Sequence, residues 1–519
     1  MTRGRLAVHG HFYQPDRRDP FSGLIPPEAN AAPHPNWTSR ITAECYGPNA
    51  ASGNFGRIGW DIGPALATWL RREQPGVHAA IVEQEHGHNG LAQAYHHAIL
   101  PLASARDRRT EIRWGLRDFE LRFGHRPAGL WLPETAVDLL TLRIAAEEGV
   151  GYTILAPWQA GTSGIDTRRP YRVVLGVRSI IVAFYDGPLS AAVSFEPEAT
   201  VDAGAFARER VAPALEPALA DGSPPLLVVA TDGELYGHHQ TFRDLFLEHL
   251  TTDVAAGVAG PAPAPSERGR ATRAAARREE ARQARRPRPA PKPAAAERAA
   301  PPWELTTLGD VLADPHRQHL PVMTIQERTS WSCHHGVARW SAECPDAHDG
   351  RWKQPLRAAF DRLAASVDRV CEAEARALGV DLWAARDGYA DVASEFAPPE
   401  AFVERTLAAA TQGAPARAAR LAADAGAAER LGALLSAQAS RLSMFASDGW
   451  FWDEPSRVET AQVMRFAAHA ARIVDDLAGT DLEAELVADL AALRSPRDRR
   501  DGAALYRAAL AAVDAARTA

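Results

Sequence analysis

The chain has few cysteines, no long apolar run and no strong excess of either charge. Only 4 of its 519 residues are cysteine, and Cys45, Cys333, Cys344 and Cys371 form no CxxC pair. That spacing argues against a disulfide scaffold or a structural zinc and fits a reducing compartment. No apolar stretch approaches the length of a membrane span, and MTRGRLAVHGHF enters a strand at once, without the apolar core of a signal peptide. A net charge of −7 and a pI near 6.2 give no global reason to bind nucleic acid or an anionic membrane. A cytoplasmic protein is expected, with neither nucleic acid nor membrane as partner, and oligomeric state is left open.

The chemistry concentrates in Leu226–His239, LLVVATDGELYGHH. Five apolar residues read as a short buried strand, and Asp232 stands at its end. Ala128–Thr135, AGLWLPET, has the same design and places Glu134 just past another apolar strand. In an α/β barrel, loops at the strands' C-terminal ends carry the active site. Two carboxylates at two such ends suit an acid/base or acid/nucleophile pair, as in glycosidic cleavage, where a retaining pair sits about 5–5.5 Å apart. The apolar strand before Asp232 is expected to raise its pKa and keep it protonated as the acid. Ordinary roles remain open for both: a first-turn helix residue for Glu134 and an Asx turn for Asp232.

Strands and helices alternate through the first half. Strands are expected at Arg5–His11, Val77–Val82, before Glu134, at Gly151–Leu155, Arg172–Leu175, Ser179–Tyr185, Leu226–Ala230 and Pro321–Gln326. Helices are expected at Pro64–Glu73, Leu91–Ala105, Asp107–Phe123, Val137–Glu148 and Ala203–Ala220, with Gly47–Gly63 as loop. Residues 257–302, rich in Ala, Pro and Arg, lack the large apolar side chains needed to offset ordering entropy and read as a disordered basic insertion. From about Lys353 the chain is helical. The domain reading is therefore residues 1–256 as a catalytic barrel, 257–302 as the insertion, 303–345 as a last barrel strand and connection, and 346–519 as a helical domain.

His9 and His11, two apart on a strand, share a face, and histidines recur at 86, 88, 96, 97, 238 and 239. They suit sugar hydroxyls or a metal ion; His334 and His335 beside Cys333 have no second cluster of zinc-like spacing, so no metal or other cofactor is expected. Trp131, Trp158, Trp331, Trp450 and Trp452 lie in or near loops, where indole faces can stack on sugar rings.

Four stretches in one order resemble the motifs of glycoside hydrolase family 57: HFYQP (11–15), HNGLAQAYHHAILPLA (88–103), LWLPETA (130–136) and ATDGELYGHH (230–239). TSWSCHHGVARW and MFASDGWFWDEPSRVE resemble the subgroup with a DUF3536 C-terminal region, while the family's fifth motif has no assigned place here. The resemblance implies an incomplete (β/α)7 TIM-like barrel followed by helices. It also implies a retaining enzyme active on α-linked glucans, hydrolytic or glycosyl-transferring, that needs no metal. It puts the nucleophile on Glu134 and the general acid/base on Asp232. His11, Gln14, His88, Trp131 and His238 become subsite residues; Trp450 and Trp452 join them as candidate sugar platforms, and Asn89 and Glu234 either bind sugar or brace the acid. Two alternatives stand beside it: a metal-dependent polysaccharide hydrolase or deacetylase-like enzyme with His9, His11 and Asp232 as ligands, and a non-catalytic glucan-binding protein.

Overall fold

The computed structural model describes residues 3–216, 219–257, 301–312, 319–346, 348–413, 415–422 and 424–518. The expected disordered insertion, apart from its ends, lies outside them.

Nine strands organise the first half: β1 Gly4–Phe12, β2 Gly59–Ile62, β3 Gly90–Gln93, β4 Leu130–Trp131, β5 Tyr152–Leu155, β6 Tyr171–Leu175, β7 Arg178–Phe184, β8 Leu226–Asp232 and β9 Trp303–Thr306. β4, β3, β2, β1 and β8 form a continuous parallel sheet, and β5 pairs parallel with β7. The bridge Gly129–Tyr152 joins β4 to β5, and Asp186 N–H donates to Val228 O, joining β7 to β8. Seven parallel strands thus close a ring. β6 is an antiparallel hairpin partner of β7 outside it, and β9 pairs with the first residues of β1.

The two-residue period of a strand decides what enters this ring. Leu6 and Val8 pack outward under helices, whereas Ala7 belongs to the inner cluster with Leu91, Trp131, Val228 and Ala230. His9 and His11 continue the Ala7 parity. Parallel register sets His11 beside Asp61 and Asp232, and Gln93 beside Trp131, so these side chains share the interior. The helix Ala105–Phe123 lies close on β3, which Gly115 permits: a Cβ there would meet Gln93 O at 1.9 Å.

Four expected elements differ. Residues 77–82 are not a strand but part of the helix Pro75–Gln84; a short apolar run suits either state, and Pro75 at the first turn tips it to helix. The region read as loop holds β2, whose inward Asp61 disguises a buried strand. Leu91–Ala105 is β3 plus a turn rather than a helix, and Pro321–Gln326 makes only isolated bridges, Val322 to Arg172 and Ile325 to Ala160.

The second half is helical. On Lys353–Ala377 the buried residues Leu356, Phe360, Leu363, Val367 and Cys371 recur at steps of three and four, a stripe facing Ala427–Ser443, Val458–Ala478 and Leu482–Leu490. Ile99, Trp114 and Ala136 from the barrel join this core. Asp107 completes the seam, 3.0 Å from Arg386 and 2.8 Å from Arg441, all three buried. Among the described residues no helix is long and apolar enough to cross a membrane.

Candidate active site

Asp61 is the keystone of the barrel mouth. Fully buried, it accepts from His9 Nε2 (2.9 Å), His11 Nδ1 (2.8 Å) and Gln93 Nε2 (2.6 Å). Burial opposes its charge, but the two imidazoles outweigh that and hold the carboxyl below its usual range. Both rings stack on Trp131, with centroids at 5.1 and 4.9 Å. Burial likewise disfavours an imidazolium at His11, yet Asp61, then Asp232 and Glu134, reverse the balance and raise its pKa. His11 therefore senses both candidate carboxylates.

Glu134 follows β4 in a tight turn with φ 56° and ψ 22°, a left-handed conformation that costs a non-glycine residue about 1–2 kcal/mol. The turn is held by Trp331 N–H donating to Glu134 O at 3.0 Å. The half-buried side chain accepts, on Oε2, from Trp331 Nε1 (3.0 Å) and Ser332 Oγ (2.6 Å). One oxygen, Oε2, is thereby anchored by two donors. A strained residue with its side chain so fixed is a feature of reactive positions.

Asp232 ends β8 across the ring from β4, with its side chain 46% exposed. It caps its own turn by accepting from Glu234 N–H (3.0 Å) and contacts His239 Nε2 at 3.3 Å. Desolvation pushes its carboxyl up, but His239 and His11 more than offset this and leave it below the usual range. The expected rise is corrected here: the carboxylate projects beyond its apolar strand and meets an imidazole. The raised group is Glu234, buried beside Asp232 and accepting from Gln14 Nε2 (2.6 Å) and Tyr46 OH; burial, then the charge of Asp232, favours its neutral form. Gly237, at φ 140°, lets this loop lie against Glu44 O, where a Cβ would come within 2.3 Å.

Other expected residues fall unevenly around this centre. Gln14 reaches it through Glu234. Trp131 is fully buried beneath the histidines and offers no face to a sugar. His88 is exposed at the N-terminal end of β3, the opposite end of the barrel, because the strand follows rather than precedes it. Asn89 is buried there, donating to Phe55 O. His238 is tied to Glu44 at 2.7 Å, and its neighbour His239 meets Asp232 instead. Trp450 is buried in the helical core against Phe360 and Phe445; Trp452 is 41% exposed with Arg457 stacked over it.

The aromatic wall is formed by two of the expected loop tryptophans, Trp158 and Trp331, with Tyr185. Trp331 stands edge-on to His11 and Trp131 and neighbours Tyr185, which meets Trp158, itself 45% exposed. On another side Tyr13 stacks on His97 at 3.8 Å and donates to Asp448 at 2.6 Å. Burial pushes Asp448 up to about 6. His97 Nδ1 lies 2.7 Å from Ser447 Oγ, so the helical half supplies part of the site's support. The sequence held no signal for Asp61 or Asp448. Trp331 is legible as a loop tryptophan, but neither it nor Ser332 carries a sequence signal for a donor to Glu134.

His9 and His11, engaged by Asp61, are not placed as a metal set with Asp232. The donor atoms that do gather there belong to Asp232, Glu234 and His239, within 4.8 Å of one another.

Comparison with known proteins agrees with this architecture. The model of glycosyl hydrolase family 57 matches residues 62–257, and that of DUF3536, a domain of unknown function, matches 349–517. No curated protein matches. An exo-type maltose-forming amylase from Pyrococcus sp. ST04 is similar in structure, with TM-score 0.64 at 14% identity, covering 98% of this chain and 88% of that one. A family 57-type branching enzyme from Pyrococcus horikoshii gives 0.57 at 14%, covering 94% of each chain. The α-amylase AmyC from Thermotoga maritima gives 0.52 at 13%, covering 98% and 99%. Residues 62–257, which carry most of the four ordered motifs on the seven-stranded ring, are thus similar to glycosyl hydrolase family 57, and the helical half to DUF3536.

Proposed function

We propose that the chain is a retaining glycosidase or transglycosidase acting on α-linked glucans, with Glu134 as nucleophile and Asp232 as general acid/base. The observation that carries this is the pairing of Glu134 and Asp232 at C-terminal strand ends on opposite sides of one barrel mouth, with His11 feeling both charges. Glu134 Oε1 attacks the anomeric carbon while Trp331 and Ser332 hold Oε2. Asp232 gives its proton to the departing oxygen, then takes one from the incoming water or sugar hydroxyl. His239 and His11 hold the Asp232 carboxyl below the usual range, so a bound sugar must exclude water from it and raise its pKa before it can act as acid. The neighbouring neutral-favouring Glu234 limits the negative charge at that side. The glucan preference draws on the amylase and branching activities of the structural relatives and on the aromatic wall of Trp158, Tyr185 and Trp331.

The test is incubation with maltoheptaose, amylose and glycogen, resolving products by length and linkage, beside Glu134→Gln and Asp232→Asn. Shorter chains mean hydrolysis, longer chains transfer, and new α-1,6 linkages branching. Retained anomeric configuration and loss of activity in both variants are expected; inverted products, or full activity in either variant, would reject the mechanism. The donor set Asp232, Glu234 and His239 favours one second reading, metal-dependent hydrolysis at the same mouth. EDTA inactivation reversed by a divalent ion, and persisting in a Cys333→Ser/Cys344→Ser variant, would support it instead.

A further inference from the structure

The connection that brings Trp331 and Ser332 to Glu134 continues at once into Cys333, and there the chain folds back on itself. Gly336 N–H donates to Cys333 O, and a short helical turn, Ala338–Trp340, reverses the direction. Cys344 returns beside Cys333. Their sulfurs lie 3.3 Å apart, His335 Nδ1 is 3.5 Å from Cys344 Sγ, and Asp346 Oδ2 is 3.2 Å from His335 Nδ1. All four donor atoms fall within 4.8 Å of one another. In tetrahedral zinc sites, with bonds of about 2.0–2.3 Å, neighbouring donors are separated by roughly 3.3–3.8 Å. Three of the six edges here, at 3.2–3.5 Å, match or nearly match that length, and the other three are no longer than 4.8 Å.

We propose that Cys333, His335, Cys344 and Asp346 form a structural zinc site that pins the segment carrying Trp331 and Ser332. The donor chemistry selects the ion: two soft sulfurs with one imidazole and one carboxylate suit Zn²⁺ and not Mg²⁺ or Ca²⁺. Both sulfurs are buried, while His335 and Asp346 face solvent and leave a path for entry. Binding displaces the two thiol protons to solvent. A centre of two thiolates, a carboxylate and Zn²⁺ carries net negative charge, and cations surround it. Arg339 donates to Asp346 O at 3.1 Å. Lys353 is fully buried, and its Nζ has no hydrogen-bond partner among the described residues and lies 5.7 Å from the centroid of the Trp352 ring. Burial and Arg339 disfavour its charge, while Asp453, then Cys344 and Cys333, favour it; thiolates at the two cysteines would add to that support. The sequence hid the site because its second half is Cys-Pro-Asp, not a second Cys-x-His.

The site does not rest on the glycosidase reading, and its readout is the metal. Untagged full-length protein, purified without chelator, should carry about one zinc per chain by elemental analysis. Loading Co²⁺ into metal-stripped, reduced protein should give intense tetrahedral ligand-field bands and a thiolate-to-cobalt band. Cys333→Ser/Cys344→Ser should lose at least about tenfold in zinc content and lose the thiolate band. If that variant does not fold, His335→Ala and the wild-type cobalt spectrum decide. Absence of cobalt bands in reduced protein, full zinc in the double variant, or cysteines that react with thiol reagents only after reduction would overturn the proposal.

Discussion

Replacing Asp61 with Asn tests whether the barrel mouth is built as described. The carboxylate is 0% exposed and receives three donors at 2.6–2.9 Å. Asn keeps the shape but not the charge, and its amide NH₂ must face a donor, leaving a buried N–H group unsatisfied. Removing one partner of a buried pair costs about 3–5 kcal/mol. For a region of barrel size, 3 kcal/mol lowers Tm by about 6–12 °C. The pH dependence gives a sharper check. Asp61 has a depressed pKa, so its contribution is present above the unfolded value of 3.8 and fades as pH falls through the folded one. His11 has a raised pKa, so its contribution is full below 6.5 and is lost as pH rises through the folded value. Wild type should therefore lose stability relative to Asp61→Asn as pH climbs above 6.5, narrowing the gap. Thermal unfolding followed by circular dichroism from pH 5 to 9 measures it. A variant within 1 °C of wild type throughout, or a gap that widens with pH, would refute the reasoning.

Ser332→Ala removes a donor 2.6 Å from Glu134 Oε2; a hydrogen bond to a charged group is worth about 1.5–3 kcal/mol, so kcat/KM should fall roughly 10- to 100-fold with Tm little changed. Glu234→Gln should stabilise the protein at high pH, because burial penalises the Glu234 charge; the gain begins above pH 4.5, grows as pH rises through the raised pKa, and is absent in acid. Titrating Tm from pH 4 to 9 tests that sign. Asp107→Ala leaves Arg386 and Arg441 buried without their shared carboxylate, and a loss of about 3–5 kcal/mol is expected in denaturant unfolding followed by tryptophan fluorescence.

The sequence made the ends of strands legible and their starts less so. β1 and β8 are long, apolar and bounded by polar motifs, so they and Asp232 were readable; Glu134 was readable from LWLPET even though β4 has only two residues. β2 was not, because four residues with an aspartate in the middle carry no strand pattern, and missing it removed Asp61 from view. The apolar residues 77–82 suit a strand but lie in the helix Pro75–Gln84, so the strand of this stretch is β3, which begins after His88 and leaves that residue at the opposite end of the barrel from the carboxylates. The tryptophans failed for a related reason. Composition tells that an indole lies near a loop, but only packing tells that Trp131 lies under two imidazoles while Trp158 and Trp331 line the mouth.

The helical half is better understood as part of the site than as an appendage. Tyr13, two residues past His11, is fixed from below by His97 and from the side by Asp448, and His97 is itself held by Ser447. Ser447 N–H also donates to His97 O, so the loop of the helical half and the turn after β3 hold one another by main chain as well. Glu134 takes its two donors from the segment whose apolar residues Cys333, Val337, Trp340 and Cys344 are buried in the helical core. The Glu134 side of the mouth therefore depends on the second half through Trp331 and Ser332, and the tyrosine beside the histidine platform depends on it through Asp448. A shift in the helical core would reach Glu134 through buried Cys333 and its half-buried neighbours Ser332 and Trp331. Under the proposed mechanism its effect on turnover should exceed its effect on overall stability, because attack by Glu134 would depend on angstrom-scale placement of one carboxylate, whereas the core can spread the same strain over many side chains.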